Sequence, residues 1–229
     1  MIEGIVFDLD DTLYPEHQYV RSGLSATAKW IQETIGLPAP EVEAELVRLH
    51  ELDPERLFDR WVAVRNENDP RLVRELVRVY RTHAPEIDLY PGARLLLRRL
   101  QTRYALGLIS DGYLQVQKAK FRALYIDEFF QAVVFSDSIG RDAWKPDPRP
   151  YESCLRKLQQ DPGRTVYVAD NPTKDFLGAR RVGMLAIRVN HELGYHYKTI
   201  PQTDSHGAHV EIDELAELEE AIESLDLER

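Results

Sequence analysis

Cysteine is nearly absent from this chain: its 229 residues include one, Cys154. A single thiol can close no internal disulfide and cannot supply a cysteine-based zinc site. It lies in "YESCLRKL", a stretch of helical character, where it reads as a small packing residue rather than a nucleophile. Long apolar runs are missing too, so no membrane span is expected. The N-terminus leads directly into a strand-like segment, without the basic region and apolar stretch of a secretory signal; a cytoplasmic location is the expectation. No basic stripe with interleaved aromatics occurs, so no nucleic-acid backbone partner is expected. Acids outnumber bases 39 to 29, a net charge of −10. Residues 211–229 hold nine acids and one base, which is −8 of that total. Ile212, Leu215, Leu218, Ile222 and Leu225 recur there at helical spacing, and the segment is predicted to be an amphipathic helix packed on the core.

What the chain does contain is strand–helix alternation. Apolar runs at 4–8, 104–110, 132–136, 165–170 and 185–189 read as five strands. Helix-period segments, "PGARLLLRRLQ", "LQVQKAKFRAL", "DPRPYESCLRKL" and "TKDFLGARRVG", lie between the later ones. Short connections in such an alternation imply an α/β fold, a doubly wound parallel sheet covered on both faces. The rhythm breaks between the first two strands. Residues 15–88 show helical patterns alone: "YVRSGLSATAKWIQETIG", ending at Gly36, then three segments that each open on proline, "PEVEAELVRLHEL", "PERLFDRWVAVRNE" and "PRLVRELVRVYRTH". The expected organisation is a Rossmann-like core of 1–14 and 89–229 with an inserted helical domain of 15–88. Residues 190–209 are expected to form a long surface loop.

The chemistry concentrates at strand ends. "IVFDLDDTLYP" places Asp8, Asp10 and Asp11 within four positions where a buried strand stops. The second strand ends at Ser110-Asp111-Gly112, the fourth at Asp170 with Asp175 beyond it, and Lys145 follows the third. Parallel neighbours would bring all of these to one crevice beyond the carboxyl ends. Four carboxylates cannot all stay ionised in a small dry site without a cation. A hard divalent ion with oxygen ligands removes the conflict, and Mg²⁺, which keeps water and phosphate oxygens in its shell, suits it best. Lys145, Ser110 and the amides about Asp111 and Gly112 would complete a cradle for a phosphoryl group. Asp8 is placed to attack phosphorus, and Asp10, two residues on, to exchange protons with the leaving oxygen and then with water.

In that order these residues resemble the four motifs of the haloacid dehalogenase superfamily. "FDLDDTL" is similar to its first motif, D-x-D-x-T, and "KPDPRPY" to the phrase around its lysine. "YPGARLLLRRL" and "GARRVGMLAI" are similar to its flanking segments. The resemblance covers nearly the whole core. It implies strand order 3-2-1-4-5, with the helical insert as a type-one cap. It also implies an aspartyl-phosphate intermediate, with Asp8 as nucleophile and Asp10 as general acid/base. Mg²⁺ would be held by Asp8, the Asp10 backbone carbonyl and Asp170, with Asp175 in support, and phosphate by Ser110 and Lys145. Ala169 departs from the glycine common before the fourth-motif aspartate, Asn171-Pro172 stiffens that loop, and "GRDAWK" runs about two residues long by comparison. Superfamily members that cleave carbon–halogen bonds lack the second aspartate, so Asp10 favours phosphoryl transfer.

The reading is therefore a Mg²⁺-dependent phosphatase acting on a small phosphorylated metabolite. One alternative is a phosphomutase of the same superfamily. Another is a phospho-accepting signalling module, whose acceptor aspartate would instead follow the third strand. Oligomeric state is written in none of these patterns. Other candidates have plainer readings. Asp11 and Thr12 shape the turn. Tyr14 and His17 are hinge or surface residues that could reach substrate. His191, His196, His206 and His209 match no compact zinc spacing and read as solvated loop residues. Trp144 lines the pocket or pins a loop, Arg180 and Arg181 face solvent, and Trp30, Phe58, Trp61 and Tyr80 pack the insert.

Overall fold

The protein is described from a computed structural model covering residues 1–65 and 69–227. It folds as two compact units, residues 1–16 with 88–229, and residues 17–87.

The larger unit is built on a six-stranded, all-parallel sheet. In chain order the strands are β1 (Gly4–Phe7), β2 (Ala105–Ser110), β3 (Ala132–Phe135), β4 (Thr165–Ala169), β5 (Leu185–Val189) and β6 (Val210–Ile212). Their spatial order is β3-β2-β1-β4-β5-β6. The five expected strands stand within a residue of the predicted bounds, in the order 3-2-1-4-5 that the resemblance implied. The sixth is an addition: "VEI" is too short and too acidic to announce itself, yet it pairs with Ile187–Val189 at the sheet edge. Residues 211–229 are therefore not one helix. They finish β6, turn, and form α9 (Leu218–Leu227), while Glu228 and Arg229 lie outside the described residues. The five expected apolar positions of this segment, Ile212 to Leu225, are all buried, so the periodic signal marked burial correctly across a change of element.

β1 occupies the middle of the sheet, and all four of its residues are buried because helices cover both faces. Its register aligns Phe7 with Leu108 of β2 and Val168 of β4. β1 ends at that level, β4 one residue beyond Val168 and β2 two beyond Leu108, so the residues that follow the three strands share one edge of the sheet. The crossover helices are α5 (Ala93–Leu100), α6 (Leu114–Ala123), α7 (Arg149–Leu158) and α8 (Asp175–Arg181). α7 sits so close to β2 that a Cβ on Gly107 would lie 2.7 Å from Cys154 Sγ. Val6, Ile109, Tyr151, Cys154, Tyr167 and Phe176 belong to the core on this side.

The smaller unit is wholly helical among its described residues. It contains α1 (Glu16–Ile35, whose first residue belongs to the larger unit), α2 (Ala39–Leu52), α3 (Leu57–Ala63) and α4 (Pro70–Thr82). Gly36, at φ 85°, ends α1 in the left-handed conformation that glycine adopts without strain. Asp69 caps α4 by accepting from the Arg71 amide at 2.8 Å, worth about 1 kcal/mol. Trp61 is 1% exposed among Leu24, Ile31, Leu46, Phe58 and Leu76, and its indole donates to Glu45 at 3.1 Å. Phe58 and Trp61 are thus core residues, as helical spacing implied. Asn66 and Glu67, the end of the segment predicted to be the third helix, lie outside the described residues.

Candidate active site

Asp8 leaves β1 with its amide still bonded to Val168 O at 2.9 Å, so the ladder to β4 fixes its backbone. Its side chain is 2% exposed. Lys145, from the connection between β3 and α7, reaches it with Nζ at 2.7 Å from Oδ1, and lies 2.6 Å from Asp175 Oδ1 at the start of α8. Tyr167 of β4 completes the knot, accepting from Lys145 Nζ at 3.1 Å and donating to Asp175 Oδ1 at 3.3 Å. Asp175 is held from two further sides: the Asn171 amide donates to Oδ2 at 3.1 Å, and Tyr151 OH donates to its carbonyl at 2.6 Å. Carboxylate oxygens of Asp8, Asp170 and Asp175 lie within 4.8 Å of one another, all three residues buried.

The electrostatics follow from burial. Desolvation pushes the Asp8 carboxyl up to about 7; the Lys145 ammonium opposes the rise and Asp175 adds to it. Asp170 is pushed well above the usual carboxylate range by burial, then by Asp175 and Asp8. Lys145 is held charged, because Asp175 and Asp8 outweigh the cost of burying it. Three buried acids against one touching ammonium leave a deficit of positive charge, and the donors are all hard oxygens. That set fits a divalent cation.

Asp10 is built into a different arrangement. Its Oδ1 accepts from Lys120 Nζ at 2.7 Å and from Tyr14 OH, and its Oδ2 accepts from Gln117 Nε2 at 2.7 Å. Burial alone would raise its carboxyl; the Lys120 charge and these hydrogen bonds prevail and hold it below the usual range. Gln117 also donates to Ser110 Oγ at 2.6 Å, so one amide ties Asp10 to the end of β2. Asp111 accepts from the Lys145 amide at 3.0 Å and so anchors the lysine's backbone. Gly112 has φ 124°, a conformation that favours glycine, and a Cβ there would come 3.1 Å from Gln117.

Several neighbours were not legible as site residues. Lys120 and Gln117 are 3% and 1% exposed, although in "LQVQKAKFRAL" the sequence marks only a helix-period crossover segment and no site residue. The available signal was their i, i+3 spacing on the face that also carries Phe121 and Leu124. Tyr14, expected at a hinge or surface, is fully buried against Asp10. Asp11 does shape the turn, at φ 52°, with its carboxylate accepting from the Glu16 amide at 2.7 Å and the Tyr195 amide at 2.9 Å. The second of these bonds fastens the loop after β5 to the end of β1. The four histidines of that loop are not simply solvated: His209 Nδ1 accepts from the Ala186 amide at 3.0 Å and His206 Nδ1 lies 2.7 Å from Thr203 Oγ1. His196 meets Asn171 Nδ2 at 2.8 Å, and His191 stacks on Tyr90 at 3.7 Å. Arg180 likewise donates to Asp204 O and Gly207 O instead of facing solvent alone. Trp144 packs edge-on to Tyr113, with centroids 6.2 Å apart.

A doubly wound parallel sheet carrying buried acids and a lysine beyond its carboxyl edge defines an α/β enzyme that handles an anion. More particularly, the chain belongs to the family of haloacid dehalogenase-like hydrolases, whose model matches residues 5–189. It is 32% identical over 98% of its length, and 99% of the relative's, to a glyceraldehyde 3-phosphate phosphatase of Methanopyrus kandleri. A glyceraldehyde 3-phosphate phosphatase of Methanothermobacter thermautotrophicus is 30% identical, with 97% and 100% of the two chains covered. Among solved structures, a 2-haloacid dehalogenase from Pseudomonas syringae superposes with TM-score 0.69 at 25% identity, covering 98% of this chain and all of that one. A HAD phosphatase from Thermococcus onnurineus shares the fold, with TM-score 0.63 at 22% identity, covering 96% and 98%. The chain is a hydrolase of this family, and the first two relatives, which it matches end to end, are phosphatases. Among the described residues, no helix is long and apolar enough to cross a membrane.

Proposed function

We propose that the protein is a Mg²⁺-dependent phosphatase that hydrolyses a small phosphorylated metabolite through a phosphoryl group carried transiently on Asp8. The observation carrying this reading is the placement of Asp8: buried, ladder-fixed, 2.7 Å from a buried lysine and grouped with Asp170 and Asp175. Asp8, Asp170 and the Asp10 carbonyl would hold the ion, with Asp175 in support; bound there, it would neutralise the phosphoryl oxygens and keep Asp8 ionised.

In the first half, an Asp8 oxygen attacks phosphorus, the bond to the substrate's alcohol oxygen breaks, and that oxygen takes a proton from Asp10. In the second half, water attacks phosphorus, Asp8 departs as carboxylate, and Asp10 takes the water's proton. Lys145 and Ser110 hold the non-bridging oxygens throughout. We assign substrate selection to the helical unit of 17–87, into which the chain passes directly from the Asp8–Asp11 turn. The names of the end-to-end relatives make D-glyceraldehyde 3-phosphate the first substrate to try. The experiment is a panel of phosphate monoesters, led by that compound, with purified protein and Mg²⁺. Asp8→Asn should lower turnover by about four orders of magnitude in a protein of unchanged circular dichroism; native-rate phosphate release by that variant would overturn the reading.

A further inference from the structure

The Asp10 carboxylate has a countable set of partners. Each carboxylate oxygen offers two lone pairs. On Oδ1 both are used, one by Lys120 Nζ at 2.7 Å and one by Tyr14 OH. On Oδ2 one is used, by Gln117 Nε2 at 2.7 Å. One acceptor position is left, on Oδ2. The residues that fix this are themselves fixed. Lys120 and Gln117 sit one turn apart on α6 with their side chains buried, Lys120 lies 3.4 Å from Glu16 Oε1, and Gln117 also donates to Ser110 Oγ at 2.6 Å. Lysine is costly to bury, and Lys120 is only 3% exposed. A buried ammonium is tolerated only where acids receive it, and here Asp10 and Glu16 do so.

We propose that Lys120 is a positioning residue for Asp10: with Tyr14 it occupies Oδ1, so that Oδ2 alone exchanges protons with the reacting oxygens. The proposal rests on the acid/base role given to Asp10 above. In the hydrolytic half the balance is simple. The water oxygen bonds to phosphorus, the phosphorus–Asp8 bond breaks with its electron pair going to Asp8, and the water proton goes to Oδ2. Without Lys120 the carboxylate loses its charged partner and is held by Tyr14 and Gln117 alone, so Oδ2 is presented to the water less precisely.

A good leaving group separates the two halves. With 4-nitrophenyl phosphate, transfer to Asp8 requires no proton from Asp10, whereas hydrolysis still requires the base. The test uses the full chain with Mg²⁺, comparing wild type, Lys120→Met, Lys120→Arg, Tyr14→Phe and Asp10→Asn, each checked by circular dichroism. Lys120→Met is expected to release a rapid burst of nitrophenolate equal to the enzyme present, then to turn over about 100-fold more slowly than wild type. Intact-protein mass spectrometry should then find the variant carrying one phosphoryl group. Tyr14→Phe, which removes one donor and no charge, should show the same pattern about tenfold slowed, and Lys120→Arg should restore most of the rate. Asp10→Asn must itself burst and stall. If it does not, the acid/base reading of Asp10 fails. If Asp10→Asn stalls while neither Lys120→Met nor Tyr14→Phe slows the second phase, the positioning role is overturned. Burst and steady rates falling together in folded Lys120→Met would also overturn it, because that is the mark of a merely structural lysine.

Discussion

Lys145 is buried to the point of having no exposed side-chain surface, and it is tolerable there only because Asp8 and Asp175 stand 2.7 and 2.6 Å away. The dependence is mutual. Lys145→Met would leave two carboxylates facing each other in a dry site, and breaking a buried pair in this way costs about 3–5 kcal/mol. The urea midpoint of the metal-free variant should fall accordingly, and an unchanged midpoint would mean that the acids are solvated after all. The residues most legible in the sequence were those whose charge contradicts their surroundings. Asp8, Asp170 and Asp175 follow strands that must be buried, so their cost announced a purpose. Lys120 was hidden for the opposite reason: a lysine on a helix is ordinary, and only its register with Gln117, Phe121 and Leu124 shows that it points inward.

The loop after β5 shows the same limit at the scale of an element. Its histidines, glycines and single proline read as solvated chain, yet it is bonded to two strand ends. The Thr173 amide donates to Asn171 Oδ1 at 2.9 Å, which fixes the amide orientation, so Nδ2 is the donor to His196 and His196 Nε2 must be an unprotonated acceptor. Burial, followed by the Lys174 charge, accordingly lowers the His196 pKa from its usual value near 6.5. Below that value the unfolded chain binds the proton more readily than the folded one. This contribution to stability is therefore complete above about pH 6.5 and is lost as pH falls through the depressed folded-state pKa. Thermal melts from pH 7.5 to 5.5 should decline more steeply for wild type than for His196→Gln; parallel slopes would remove His196 as a contributor. β6 escaped the sequence for a related reason. Three residues carry no usable period, and the strand exists because β5 offers an edge.

At the scale of the whole molecule, alternation of strand and helix was enough to give the α/β class, because parallel pairing needs covered faces, while the order of the five strands was implied by the family resemblance of the motifs alone. It could not give Gln117 and Lys120 as partners of Asp10, since they lie 107 and 110 residues further along the chain. The acid cluster exists only in the folded chain, so an ion bound there must favour folding. At about 100 times its dissociation constant Mg²⁺ should add ~2.7 kcal/mol. Calorimetry should show the melting temperature rising with Mg²⁺ in wild type and not in Asp170→Ala; an equal rise in both would place the ion elsewhere.

The close seat of α7 on β2 has a practical corollary. With Gly107 under it, the lone sulfhydryl is sealed from solvent and pushed up to about 12 by burial, so it cannot react with an alkylating dye while that helix stays in place. Dye uptake at Cys154 then clocks how often this side of the sheet opens, making the chain its own reporter without an engineered label.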